Sequence, residues 1–214
     1  MVLAGCVAAI FSVTISLGQT AQPNETFDEL YRRGQLANTG LKTLTARFTE
    51  TTTSVLLTRP LVERGTLAVQ RPDTVVLHYT VPETRTVWID RKQLVVSWPG
   101  RNIYQVSNIA AMQGRVQKYF VDSDPNELRK SFDIAVSDTE QRRGTDHVSL
   151  LPRRSQIREG LTRLDLWIDQ SSLLLAAMRM TFANGDTKLM TLEDVVPNAS
   201  IAPETFVRPQ QKAH

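Results

Sequence analysis

The chain of 214 residues has one cysteine and three histidines, and no long apolar run lies beyond residue 17. Each scarcity removes a class of protein. One cysteine, Cys6, rules out an intrachain disulfide framework. His78, His147 and His214 are far apart, and none has a second ligand at metal spacing. His78, on a strand, reads as a half-buried structural residue. The sequence contains no glycine-rich phosphate loop, no nucleophile elbow and no His-Glu-x-x-His pair. A Ser-His-Asp set gathered from distant segments is the one catalytic arrangement that spacing alone does not address. The expectation is a protein that is not an enzyme, with no catalytic residues, no metal and no cofactor. Net charge is only +3, and the basic residues do not interleave with aromatics. Arg142-Arg143 and Arg153-Arg154 are isolated pairs, so nucleic acid is not an expected partner. There is no internal repeat, linker or low-complexity tract. A single domain over 24–209 with a short tail, 210–214, follows.

The first 24 residues carry no charged side chain. Val2 to Leu17 is apolar but too short for a comfortable membrane span. Ser16-Leu17-Gly18 places small residues where a signal peptidase reads, so 1–18 is expected to be a signal peptide and the rest exported to the periplasm. No Lys or Arg precedes the apolar run, which suits a start upstream of Met1. Leu3-Ala4-Gly5-Cys6 also has the form of a lipoprotein signal, which would anchor the protein through an acylated Cys6. Too few residues precede that cysteine and apolar ones follow it, so the soluble reading is preferred.

What the chain does have is alternation. Between Arg71 and Trp98, Val75, Leu77 and Tyr79 alternate with Val76, His78 and Thr80. Val87 and Ile89 flank Trp88, and Leu94, Val96 and Trp98 flank Val95 and Ser97. Period-two runs of branched and aromatic residues are strands, and Arg71-Pro72-Asp73, Val81-Pro82-Glu83 and Asp90-Arg91-Lys92 are the turns between them. The same pattern predicts strands over 45–54, 61–70, 103–106, 132–138, 145–151, 161–169, 173–182 and 187–195, about eleven in all. Asn184-Gly185 reads as a two-residue hairpin turn. Thr26 and Glu29 form a capping-box pattern for a helix over 24–40 that Gly40 would stop. Its face holds Phe27, Leu30, Tyr31 and Gly34. Ile109, Met112, Val116 and Phe120 fall at helical spacing, and Asp124-Pro125 opens a further short helix.

Both faces of the strands are apolar or aromatic, which is unusual for a sheet with one wet side. A long antiparallel meander must curl. The expected fold is mainly β: an incomplete, unclosed antiparallel barrel of about eleven strands, with helices as a lid over its open side. Candidates to line an apolar cavity are Phe48, Leu67, Val69, Val75, Leu77, Tyr79, Val87, Ile89, Leu94, Val96, Trp98, Leu164, Leu166, Met178, Met180 and Phe182. Lid candidates are Ile109, Met112, Val116 and Phe120. Ordinary core is the competing role for each of them. Trp167 cannot share a face with Leu166, nor Trp88 with Ile89, and the sequence leaves open which set is inside.

The order of these pieces resembles the LolA-type periplasmic lipoprotein carriers. The resemblance rests on Arg71-Pro72-Asp73 opening a strand, Tyr79, the Val81-Pro82-Glu83 turn, Val87-x-Ile89-Asp90 and Trp98-Pro99. It extends upstream to Leu41–Glu50 and Gly65-Thr66-Leu67. Downstream it takes in His147–Pro152, Leu164–Met190 and Phe206-Val207-Arg208-Pro209, so it covers roughly 26–209. It implies a monomeric carrier that shields the acyl chains of lipoproteins in transit between membranes. Its implied partners are an inner-membrane LolCDE-like releasing transporter and a LolB-like outer-membrane acceptor. It also implies that Arg71 stands at the cavity mouth and bonds lid carbonyls, in helix 109–120 or 124–130. The alternatives are a carrier or sensor of another lipid or glycolipid on the same scaffold, RseB-like, or an enzyme using the cavity.

Overall fold

A computed structural model of the chain describes residues 26–109, 125–137, 140 and 142–211. The expected signal peptide, Cys6 and the lid candidates Met112, Val116 and Phe120 lie outside the described residues. Eleven described strands form one antiparallel sheet: β1 (Thr43–Thr53), β2 (Leu61–Gln70), β3 (Thr74–Val81), β4 (Arg85–Ile89), β5 (Gln93–Trp98), β6 (Ile103–Asn108), β7 (Phe132–Ser137), β8 (Thr145–Pro152), β9 (Leu161–Asp169), β10 (Leu175–Phe182) and β11 (Thr187–Pro197). Their order is β6-β5-β4-β3-β2-β1-β11-β10-β9-β8-β7. Two meanders are therefore joined by the β1–β11 pair, and among the described residues β6 and β7 are unpaired edges: the barrel is not closed. Three α-helices are described, α1 (Phe27–Ala37), α2 (Pro125–Ser131) and α3 (Ser155–Arg158).

The local chemistry explains the boundaries. Thr26 and Glu29 make the reciprocal capping box that starts α1. The helix ends earlier than expected, at Asn38 rather than Gly40, because the Asn38 side chain folds back. Its Nδ2 donates to the Gly34 carbonyl at 3.0 Å and to that of Leu173 at 3.2 Å. Asp90 Oδ1 accepts from the backbone N–H of Lys92 (2.7 Å) and Gln93 (2.6 Å), closing the β4–β5 turn. β10 starts at Leu175, not 173. Asp169 Oδ1 gathers the N–H groups and hydroxyls of Ser171 and Ser172 within 2.6–3.1 Å, and Leu173 adopts φ 57°. The β10–β11 hairpin is a four-residue connection, 183–186, rather than two, with Gly185 at φ 85°.

The ladder also fixes the faces, because directly paired residues project to the same side. One continuous side runs Val136, Val148, Leu166, Met178, Met190, Glu50 and Glu63. Further along β1 to β5 the same side carries Phe48, Gly65, Tyr79 and Arg85, then Leu67, Leu77, Val87 and Val96, then Val69, Val75, Ile89 and Leu94. This is the inner side, since Leu30 of α1 packs there with Phe132, Val148, Leu150 and Leu164. Gly65 is required at the crowded centre: a Cβ there would lie 2.1 Å from the His78 carbonyl oxygen and 2.8 Å from Phe48 Cζ. A second core lies on the opposite, outer side. Val76, Trp88 and Val95 are buried there under Phe206 and Tyr104. Trp88 Nε1 donates to the Phe206 carbonyl at 2.9 Å, and Tyr104 Oη to that of Pro209 at 2.9 Å.

Candidate functional site: an apolar cavity beneath the first helix

Between α1 and the inner side of β8–β10 lies a cavity of about 540 Å³, a volume typical of small-molecule sites. The helix contributes Phe27, Leu30, Tyr31 and Gly34, whose i, i+3, i+4, i+7 spacing gives one continuous face. The floor is Val148, Leu150, Leu166 and Ile168. Leu128 of α2 closes one flank, and Leu173, Leu174 and Leu175 form a rim with Asn38, Thr39 and Arg71. The polar part of the rim is hydrogen-bonded in place. Four hydrogen bonds hold Asp169 well below the usual carboxylate range, at about 2, with those from Ser171 and Ser172 as the cause, and the Asn38 amide ties the rim to α1.

Beside the cavity the inner side of β2–β5 presents a wall of eight half-buried apolar side chains: Leu67, Val69, Val75, Leu77, Val87, Ile89, Leu94 and Val96. Towards the end of the sheet where β1 meets β2, the same side turns ionic. Glu63, almost fully buried, accepts both guanidinium nitrogens of Arg85, one at 3.1 Å. Glu50, buried likewise, accepts Lys188 Nζ at 2.8 Å and Tyr79 Oη at 3.3 Å. The Arg85 guanidinium stacks 3.7 Å from the Tyr79 ring centre. Burial, helped by the Glu50 charge, pushes the Tyr79 phenol up to about 12, so it remains a donor. The inner side is thus graded, apolar at one end and bonded and charged at the other.

Leu166 and Arg71 line the cavity itself. Leu164, Met178 and Met180 belong to the core around it. Phe48, buried, packs edge-on against Tyr79 at 4.8 Å, and Trp98 lies beneath the Arg101 guanidinium at 4.1 Å. Phe182 sits past a register shift opposite Leu161. Ile109 is buried, its N–H donating to the Lys92 carbonyl at 2.8 Å. Arg71 differs from expectation in its partner. Its guanidinium reaches the Asn38 carbonyl at the end of α1, at 3.4 Å; α2 is not its partner among the described contacts, and 110–124 lie outside the described residues. The α1 face and the Leu173–Leu175 rim were not among the expected lining residues, although the helical spacing of Phe27, Leu30, Tyr31 and Gly34 was the available signal.

His78 is exposed rather than half-buried, with Nδ1 3.2 Å from Thr86 Oγ1. His147, by contrast, is fully buried on the outer side, where Nε2 meets Asp165 Oδ1 at 2.9 Å and the ring stacks on Trp167 at 5.0 Å. Burial alone would raise the Asp165 carboxyl, but the hydrogen bonds of Arg179, Arg163 and His147 outweigh it and hold the group low. Both oxygens are engaged, so this cluster ties β8, β9 and β10 together. Among the described residues no group of three side chains could hold a metal ion, and no helix is long and apolar enough to cross a membrane.

Comparison with known proteins places this architecture. Residues 39–209 match the family model of the outer membrane lipoprotein carrier protein LolA. No curated protein matches the sequence. An uncharacterized conserved protein from Thermus thermophilus superposes with a TM-score of 0.52 at 10% identity, over 85% of this chain and 93% of that one. MucB of Pseudomonas aeruginosa, in its complex with MucA, superposes at 0.50 and 15% identity, over 84% and 60%. At such identities the two structures speak for the fold, while the family match spans most of the sequence. An unclosed eleven-stranded sheet wrapped around an apolar cavity under a helix, with this match over 39–209, means that the chain belongs to the LolA family.

Proposed function

We propose that this protein is an exported periplasmic carrier that shields the acyl chains of lipoproteins and hands them to an outer-membrane acceptor. The observation that carries this reading is the cavity of about 540 Å³ under α1, with the apolar wall of β2–β5 on the same side of the sheet. Each acyl CH₂ taken from water contributes about 0.8 kcal/mol, so part of one chain is enough for useful affinity. A carrier must also release, and the half-buried wall serves this: it wets the cargo's flank where a sealed core would not. The donor is a LolCDE-like transporter and the acceptor a LolB-like lipoprotein. Arg71 stands at the mouth, where its donors bond α1 when the site is shut and water or cargo when it is open.

An environment-sensitive apolar dye should bind the folded protein saturably at micromolar concentration, and a triacylated lipopeptide should displace it. Lipid extracted from protein purified from its host should contain acylated peptide. Dye binding that emerges only on unfolding, or extracts holding only free lipid, would remove lipoproteins as the cargo.

A further inference from the structure

The loop joining β1 to β2 exposes three consecutive large apolar side chains. Val55 is 90% exposed, Leu56 86% and Leu57 40%; no other large apolar side chain among the described residues is as exposed as the first two. Leu61 (40%) and Val62 (37%) continue the surface onto the stem of the hairpin. The tip is a hydrogen-bonded turn. The Leu57 N–H donates to the Ser54 carbonyl at 3.1 Å and the Leu56 N–H to Ser54 Oγ at 3.2 Å, while the stem is laddered up to the Thr52–Leu61 pair. Thr51, Thr52, Thr53 and Thr58 surround the base. Arg59 and, on β2, Arg64 follow within a few residues, and neither makes an ion pair among the described residues.

A narrow convex apolar tip does not match a shaped protein groove as well as it matches a fluid that reforms around it. Apolar side chains in front of hydroxyls and unpaired cations reproduce the order of a bilayer boundary: acyl region, glycerol and carbonyl layer, anionic phosphates. We infer that this hairpin inserts into the surface of an anionic phospholipid bilayer and sets the ionic end of the barrel towards the membrane. The inference does not depend on what the cavity carries.

The test uses the exported chain from residue 19, which lacks Cys6 and the apolar leader, with a nitrobenzoxadiazole label at Leu56→Cys, or as a control at Lys92→Cys, which is exposed at the opposite end of the sheet. Vesicles of phosphatidylethanolamine and phosphatidylglycerol (3:1) carry a spin-labelled lipid. The label at 56 should shift to the blue and be quenched, and that at 92 should not. Replacing Val55 and Leu57 by Ser should weaken vesicle binding at least ~tenfold. Arg59→Ser should weaken it about fivefold, on anionic vesicles only. Because these side chains are exposed, circular dichroism and the melting point should not change. No shift at 56, or equal quenching at 56 and 92, would overturn the inference. So would a concentration-dependent shift at 56 without vesicles, which would make a second copy the occupant.

Discussion

The two meanders of the sheet solve the same problem on opposite sides. In β7–β10 the buried core faces inward, against Leu30 and Leu128, and the outer side is held by the His147–Asp165–Arg179 cluster. In β2–β5 the buried core faces outward, Val76, Trp88 and Val95 under the segment 203–209, and the inner side stays half-open and apolar. One half therefore carries its core on the same side as the cavity, around and beneath it, and the other carries its core behind the wall. The lesson is a division of labour: stability for the wall of β2–β5 comes from its back, so its front need not be filled. Strands with two apolar faces allow this, because each face can be assigned to a different neighbour.

This contrast can be broken by measurement. Phe132→Ala, in the inward core at 2% exposure and not part of the cavity lining, should cost about 4 kcal/mol. Leu77→Ala, on the half-open wall, should cost about 1 kcal/mol or less yet weaken dye binding more than Phe132→Ala does. Urea unfolding of both variants, with dye titrations, decides it; equal stability losses would mean that the wall is ordinary core. Next in size is Arg71→Leu. The fold should survive, since Arg71 is exposed and its bond to Asn38 is long. Cargo loading should persist, but transfer to an acceptor should slow about tenfold as an apolar side chain replaces a hydrated one at the rim. Arg71→Lys should fall between. Unchanged transfer by the folded Leu variant would make Arg71 a turn residue.

Trp88→Phe should cost about 1 kcal/mol through its bond to the Phe206 carbonyl. It should also loosen the outer cover, seen as faster cleavage after the exposed Glu204 by a glutamate-specific protease, with inner dye binding almost unchanged. The smallest effect is at Asp169. Its carboxyl lies at about 2 in the folded chain against an ordinary 3.8, so its contribution is complete above 3.8 and is lost as pH falls through 2. Because the group is close to water, screening keeps that contribution under about 1 kcal/mol. Asp169→Asn should flatten the acid limb of a melting curve between those pH values and slacken the Leu173–Leu175 rim; parallel limbs would show that the turn does not depend on the charge.

How far the sequence reveals this follows from the range of each interaction. All eleven strands are legible because alternation is local: Val75–Tyr79 and Leu94–Trp98 announce themselves. The α1 start is legible for the same reason, as Thr26 and Glu29 are three residues apart. The choice of buried side is not local. Trp88 is covered by Phe206, 118 residues later, and no pattern around Trp88 carries that information. The end of α1 depends on Asn38 reaching Leu173, 135 residues away. The His147–Asp165 pair needs the β8–β9 register, which is set by the whole hairpin rather than by either residue. Asp169, which shapes the rim, looks in sequence like any aspartate before two serines.

The β1–β11 pair at the centre of the sheet has a consequence for how the chain comes together. Most neighbours in the sheet are hairpins, which close quickly. The Thr52–Lys188 pairing and the Glu50–Lys188 bridge instead join residues 136 to 138 positions apart, a high-contact-order closure that is slow. A chain delivered amino end first can form β1–β6 but must keep one border of β1 bare until residue 187 arrives. A bare strand border is a template for other chains. The seam that completes the barrel is thus also its window of exposure, and chaperone protection during assembly matters most for the fragment that ends just short of Thr187.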